Sequence, residues 1–136
     1  MPKLFRVIVP VTDIEQAAAF YDRVLGTEGQ RVSPGRHYFD CEGTILACYD
    51  AVADGDVEEA GAFTPLPEPL YFAVDDLEAT FRQARAAGAS LSPNDIPGVG
   101  PPGQIARRPW GERSFYAADP FGNPLCFVSR ETVFIG

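Results

Sequence analysis

Positive charge is scarce in this sequence. It has 11 lysines and arginines against 19 aspartates and glutamates, which gives a formal net charge of −8. A protein that binds nucleic acid needs a basic face to meet the phosphates. The charge balance therefore argues against nucleic-acid binding and favours solubility.

Long apolar runs are also absent, since no stretch approaches the roughly 20 residues that a membrane helix needs. The first residues, 1–6, lack the apolar core and cleavage site of a signal peptide. We therefore expect a cytoplasmic protein with no membrane partner.

Cysteine is rare and irregularly placed. Cys41, Cys48 and Cys126 are odd in number and form no CxxC pair. This argues against a disulfide framework and against a zinc knuckle. We expect the three thiols to serve as small buried side chains.

Hydrophobic residues are plentiful at 46% of the chain, enough for a globular core. The first half predicts a strand at 4–11, followed by a helix whose apolar stripe runs from Ile14 to Leu25 and which ends at Gly26. Further strands are predicted at 29–33, 36–40 and 44–49.

The hairpin between the last two of these strands has two possible registers. A three-residue loop, Cys41-Glu42-Gly43, would place the left-handed residue last and set His37 opposite Ala47. This is the register that we favour. A two-residue turn, Glu42-Gly43, would set Tyr38 opposite Ala47 instead, because a slip of one residue turns every side chain to the other face.

The second half begins with an acidic and proline-rich linker, 53–68. A strand at 70–74, a helix capped by Asp75-Asp76 that ends at Gly88, and a short strand at 90–92 follow. The prolines and glycines of 93–109 predict a loop. The segments 113–118 and 125–128 predict a hairpin around the turn 119–123, and 129–136 is expected to be a tail.

The two halves repeat each other. Val11-Thr12-Asp13-Ile14-Glu15 matches Val74-Asp75-Asp76-Leu77-Glu78, and the segment 40–46 matches 119–125. The repeat predicts an α+β fold of two βαβββ modules, about 1–52 and 69–130, within one domain. We expect their sheets to pair edge to edge and to curve around a cup-shaped pocket, because one helix cannot cover both faces of a four-stranded sheet.

These motifs, together with Phe20-Tyr21-Asp22-Arg23-Val24-Leu25-Gly26 and Asp119-Pro120-Phe121-Gly122-Asn123-Pro124-Leu125, resemble the vicinal-oxygen-chelate superfamily. It includes glyoxalase I, bleomycin-resistance proteins, fosfomycin-resistance enzymes and extradiol dioxygenases. The resemblance implies a homodimer. In enzymes of the family it also implies one divalent metal, held by a His or Gln on the first strand of each module and a Glu on the last.

The corresponding positions here hold other residues. The first-strand positions fall on Arg6 and Pro69, and the last-strand positions fall on Ala47 and Cys126. Arginine stays protonated, and proline and alanine offer no side-chain donor atom. We therefore expect no metal and no other cofactor.

If the strands face inward as in the family, six side chains line the pocket. Arg6 would bind a carboxylate or phosphate, or would pair with an acidic neighbour. His37 would act as a base or be an ordinary strand residue, and Cys126 is expected to fill space. Arg107 and Arg108 are expected to be solvated, although they could attract an anion to the pocket mouth. The ligand-binding candidates are Arg6, His37, Tyr71, Ser114, Tyr116 and Cys126, with Trp110 as a lid or an interface residue.

Three functions follow from this set. The first is a metal-independent binder of a small organic molecule, which could be anionic. The second is a metal-dependent lyase or dioxygenase of the same superfamily. The third is a metal-free enzyme that uses His37 or Tyr116 as acid or base.

Overall fold

The computed structural model describes residues 1–58, 63–92 and 94–136. Part of the predicted linker, 59–62, and Pro93 of the predicted loop lie outside the described residues. The chain divides into two compact units, Met1–Leu66 and Pro67–Gly136. In its described residues, each unit contains one four-stranded mixed sheet and one α-helix, which confirms the α+β class. Within the described part of the chain, neither helix has the length and apolar character needed to cross a membrane.

Unit 1 has the predicted strand–helix–strand–strand–strand order. The strand order across the sheet is β1-β4-β3-β2, with β1 parallel to β4 and the other pairs antiparallel. The elements are β1 (Arg6–Pro10), α1 (Ile14–Leu25), β2 (Gln30–Ser33), β3 (Arg36–Cys41) and β4 (Thr44–Tyr49).

Helix α1 forms where the sequence predicts it. The Asp13 carboxylate caps its start by accepting a hydrogen bond from the Gln16 amide at 3.0 Å, a contact worth about 1 kcal/mol. Gly26 ends it with a φ of 67°. The buried side chains of the helix pack on the sheet beside Val9 and Phe39, and they are Ile14, Ala17, Ala18, Phe20, Tyr21 and Val24.

The hairpin of unit 1 forms the two-residue turn, so the favoured three-residue loop is wrong. Cys41 pairs with Thr44, and Tyr38 pairs with Ala47. Glu42 and Gly43 both have positive φ, at 52° and 97°. That conformation matches the twist of the flanking strands, as in type I′ hairpins. His37 therefore pairs with Cys48 and points to the opposite face from Tyr38.

Unit 2 repeats this arrangement with the strand order β5-β8-β7-β6. Strand β5 is parallel to β8, and the other pairs are antiparallel. The elements are β5 (Leu70–Val74), α2 (Leu77–Ala86), β6 (Ala106–Arg107), β7 (Arg113–Ala118) and β8 (Pro124–Ser129).

Three features of unit 2 differ from the sequence prediction. The segment predicted as a loop contains the short strand β6, and the predicted strand near Ser90 is a single bridge to Ala118. The predicted tail begins with the last residue of β8 and a 3₁₀ turn, Arg130–Thr132. Strand β6 and the 3₁₀ turn are too short to show a periodic pattern in the sequence.

The turn between β7 and β8 is held by its own polar side chains. One carboxylate oxygen of the buried Asp119 accepts hydrogen bonds from the Phe121 amide at 2.9 Å and the Asn123 amide at 2.8 Å. The other accepts from the Asn123 side-chain amide at 2.9 Å. This confirms the predicted hairpin and fixes Tyr116 beside Cys126.

Candidate functional site

The two faces of the unit 2 sheet differ in chemistry. One face carries stacked rings, with Phe127 5.2 Å from Phe72 and 5.1 Å from Phe115 between centroids. It packs against α2, where Phe81 meets Phe115 edge to face at 5.0 Å. Side chains alternate along each strand, so the candidate ligand-binding residues of unit 2 lie on the opposite face of the sheet. That surface, which we call the tyrosine face, is defined by Tyr71, Ser114, Tyr116 and Cys126.

The tyrosine face combines two rings with two small buried groups. Tyr71 and Tyr116 meet edge to face, with 6.4 Å between ring centroids and 83° between ring planes. Tyr71 is 61% exposed, whereas Ser114 and Cys126 are each 1% exposed. The register brings Tyr71 and Tyr116 to the two sides of Cys126 on neighbouring strands. The geometry therefore offers an aromatic wall open to solvent above a polar floor.

The thiol and phenol of this face both keep their protons at neutral pH. Burial raises the pKa of the Cys126 thiol to about 11, although hydrogen bonds with Ser114 and Tyr116 and the charge of Arg108 act to lower it. Burial and the neighbouring Cys126 also raise the pKa of Tyr116. A protonated buried thiol is a poor nucleophile, so Cys126 is suited to space filling and Tyr116 to donating a hydrogen bond.

Arg108 is the residue that the sequence analysis missed. It was expected to be solvated, but its side chain is 2% exposed, whereas Arg107 is exposed as expected. Its Nε donates to Ser114 Oγ at 2.9 Å, and its guanidinium carbon lies 5.2 Å from the centroid of the Tyr116 ring. Because Ala106 shares the face of Ser114, alternation carries the residue two positions later to that face as well.

The signal for Arg108 was present in the sequence in a weak form. Two consecutive arginines in an extended segment must point to opposite faces, so one of them turns toward the tyrosine face. To predict that Arg108 is the one that turns inward, strand β6 must first be predicted. The prolines and glycines of 93–109 predict a loop there instead.

Trp110 lies in the turn between β6 and β7 and is 39% exposed. Its indole nitrogen donates to a Glu112 carboxylate oxygen at 2.8 Å, and the other oxygen accepts from the Phe134 amide at 2.8 Å. The ring is thus held at the surface by Glu112, and its role as a lid or interface residue stays a prediction.

Arg6 lies on the unit 1 face that carries Ile8, Tyr38 and Ala47. Its guanidinium carbon is 5.3 Å from the Tyr38 ring centroid and 5.2 Å from that of Phe5. In the part of the chain that the structure describes, no carboxylate forms an ion pair with Arg6. Its planar group therefore stacks on aromatic rings and keeps its hydrogen-bond donors available.

His37 lies on the other side of that sheet, so the prediction that it faces the pocket beside Ala47 is wrong. Its Nδ1 accepts a hydrogen bond from Arg31 Nε at 3.2 Å, and its ring centroid lies 5.1 Å from that of Phe39. The Nε2 atom is buried, and no described residue forms a hydrogen bond with it. Burial, and then the charge of Arg31, lowers the pKa of this imidazole. Its contacts are those of a neutral core residue.

The divalent metal that the resemblance implies does not fit the residues present. On the strands of unit 1, Arg6 lies beside Ile45, and Ala47 lies beside Ile8. Cys126 of unit 2 lies beside Tyr71, and Pro69 immediately precedes β5. No group of three or more His, Cys, Asp or Glu side chains that could hold a metal ion occurs among the described residues. A hard divalent ion needs several converging nitrogen or oxygen donors.

Comparison with known families gives one match that covers most of the chain. Residues 3–127 match the model of the family described as Glyoxalase/Bleomycin resistance protein/Dioxygenase superfamily. CFP32 of Mycobacterium tuberculosis, a protein that carries the name of a glyoxylase, is 36% identical over 88 residues. That match covers 62% of this chain and 32% of CFP32, so the chain spans about a third of the length of the curated relatives it matches.

Solved structures share the fold at low identity. A glyoxalase-related enzyme from Fulvimarina pelagi superposes with a TM-score of 0.73 at 19% identity, covering 100% of this chain and 94% of that one. The oxidase ChaP-H2 gives a TM-score of 0.70 at 24% identity, covering 95% of this chain and 94% of that one. These similarities establish the architecture, and one architecture carries many chemistries.

Proposed function

The chain belongs to the Glyoxalase/Bleomycin resistance protein/Dioxygenase superfamily, and from that premise we propose that it is a metal-independent binder of a small organic molecule. The observation that carries the proposal is the set of residues at the four metal-ligand positions, which are Arg6, Ala47, Pro69 and Cys126. These residues cannot supply the donors that the metal chemistry of the superfamily requires.

Two features support an organic ligand. The edge-to-face pair of Tyr71 and Tyr116 provides ring surfaces on which a flat molecule can pack. Arg6 provides a planar guanidinium that no carboxylate of the described residues neutralises. Such a group recognises carboxylate or phosphate oxygens in pairs. The homodimer and the cytoplasmic location are further parts of this proposal.

The two enzymatic alternatives are weaker. A metal-dependent lyase or dioxygenase needs ligands that the chain lacks at the expected positions. A metal-free enzyme with His37 as base conflicts with the burial of that imidazole on the helix side of its sheet. Tyr116 is left as an acid–base group. Its raised pKa suits it to donating a proton or hydrogen bond, not to removing one.

Elemental analysis tests the absence of a resident metal. We expect protein purified without a metal-affinity column, and dialysed against metal-free buffer, to contain far less than one divalent ion per chain. Cys126→Ser is the matched control, because it removes the one metal-binding side chain among the four positions and should leave the metal content unchanged. A stoichiometric ion that survives dialysis would overturn the proposal, and its loss in the variant would assign that ion to Cys126.

A further inference from the structure

Arg108 carries a buried positive charge that no carboxylate among the described residues contacts. Its side chain is 2% exposed, and none of its contacts among the described residues is with a carboxylate. Moving a guanidinium out of water has a large free-energy cost, which proteins usually offset with an opposite charge. Here the hydrogen-bond acceptors are all neutral oxygens, so the guanidinium keeps its positive charge beside the tyrosine face. The Glu112 carboxylate acts on Cys126 in the opposite direction to Arg108.

The hydrogen bonds of Arg108 account for all five of its N–H groups. Besides the bond from Nε to Ser114 Oγ, Nη1 donates to the carbonyls of Val99 at 3.1 Å and Pro101 at 2.9 Å. Nη2 donates to the carbonyls of Gln104 at 3.0 Å and Ser114 at 2.8 Å. A guanidinium has five donors, so none is left for a ligand, and Arg108 ties the segment 99–104 to strand β7.

What Arg108 offers a ligand is therefore its charge, which acts on the tyrosine face. Its guanidinium carbon lies 5.2 Å from the Tyr116 ring centroid. The same charge counteracts part of the effect of burial on the Cys126 thiol. Coulomb interactions are strong where little water intervenes. The hydroxyl of the exposed Tyr71 can donate to an anionic oxygen, whereas the Tyr116 hydroxyl is already hydrogen-bonded to Cys126 and offers its ring surface.

We propose that the tyrosine face binds a planar organic anion, such as a phenolate or an aromatic carboxylate. Arg108 would match the charge of that anion, the Tyr71 hydroxyl would donate a hydrogen bond to it, and the Tyr116 ring would pack against it. This rests on the proposed function and specifies the class of its ligand. Arg108 is a positioning residue in this scheme, because it acts through its charge and through the segment it holds.

The test compares two flat probes of similar size, 4-nitrophenol and its neutral methyl ether 4-nitroanisole. An opposite charge nearby shifts a pKa by about one unit or more, so we expect wild-type protein to lower the pKa of bound 4-nitrophenol by at least about one unit. The ionised form absorbs visible light and reports this directly. By the same linkage, the phenolate should bind at least about tenfold more tightly than neutral 4-nitrophenol. We expect a preference of similar size over the ether, which cannot ionise.

Variants assign the effect to one side chain. Arg108→Gln should remove both the pKa shift and the preference for the anion, whereas Arg107→Gln should keep both, because Arg107 is exposed. If Arg108→Gln fails to fold, Arg108→Lys decides, since it keeps the charge with fewer donors and should keep the preference for the anion. Circular dichroism and thermal unfolding establish that each variant is folded.

The failures of the two proposals are distinguishable. Equal affinity of wild-type protein for the two probes would overturn the anion inference and leave the proposed binding function in place. An unchanged preference in folded Arg108→Gln, or its loss in folded Arg108→Lys, would also overturn the role of Arg108. If wild-type protein binds neither probe, both the inference and the binding function fail for flat organic ligands.

Discussion

Two buried nitrogen side chains show how burial acts on single residues. His37 and Arg108 are both shielded from water, and burial lowers the pKa of each. Imidazole titrates near neutrality, so His37 can become neutral and join the core. Guanidinium stays charged in proteins, so Arg108 must be surrounded by acceptors instead. The free-energy cost of burying a charge thus gives a neutral core residue in unit 1 and a buried, hydrogen-bonded cation beside the tyrosine face in unit 2.

The neutral His37 predicts a pH dependence of stability. Its folded-state pKa lies below its unfolded value of about 6.5, so the unfolded chain binds the proton first as the pH falls. The contribution of His37 is therefore complete above pH 6.5 and is lost as the pH drops from there toward the folded pKa. The slope from this one group is at most about 1.4 kcal/mol per pH unit.

Urea unfolding between pH of about 7.5 and 5 measures this effect. His37→Gln keeps a hydrogen-bond acceptor for Arg31 but cannot titrate, so its unfolding free energy should fall less over the same range. Asp22 and Glu15 act in the opposite direction on the pKa and are unchanged in the variant. An identical pH profile for both proteins would show that His37 does not titrate on unfolding.

At the scale of elements, the two hairpins differ although their sequences correspond. Two residues, Glu42 and Gly43, separate the paired Cys41 and Thr44. Five residues, 119–123, separate the paired Ala118 and Pro124 in unit 2. The lengths differ by three, an odd number, so transferring the register by alignment assigns the wrong face. Tyr38, opposite Ala47, is therefore the counterpart of Tyr116.

The positive φ angles of Glu42 and Gly43 predict opposite effects on stability for two substitutions. Gly43→Ala should lower the unfolding free energy by about 1–2 kcal/mol, because a Cβ is strained in the left-handed region. Glu42→Asn should raise it by a few tenths to about 1 kcal/mol, since asparagine tolerates that conformation.

Chemical denaturation gives both values. Glu42→Ala is the control, because it removes the same charge but lacks the amide, and it should not stabilise the protein. An unchanged unfolding free energy for Gly43→Ala would contradict the turn geometry.

How far the sequence predicts the structure depends on the length of the element. Helix α1 was predictable from its cap at Asp13 and its apolar stripe, and the turn 119–123 was predictable from its polar residues. Strand β6 was not, because two residues show no periodicity. The prediction of Arg108 failed for that reason, whereas strand alternation correctly placed Ser114, Tyr116 and Cys126 on one face. Tyr71 was grouped with them only through the resemblance to the family.

At the scale of the whole molecule, the shared fold does not determine the function. The superfamily fold is shared with proteins named as a glyoxylase and an oxidase, while the four metal-ligand positions of this chain hold other residues. The chain carries a net charge of −8, so attraction of an anion has to come from local charge. The tyrosine face provides such a charge through Arg108.

The most direct test of metal-independent binding is a titration of 4-nitrophenolate into EDTA-treated protein, repeated after addition of Zn²⁺, Ni²⁺, Mn²⁺ or Fe²⁺ under anaerobic conditions. We predict the same dissociation constant in every sample, within about twofold, or about 0.4 kcal/mol. Binding that appears only after a metal is added, or that tightens about tenfold or more with it, would contradict the account.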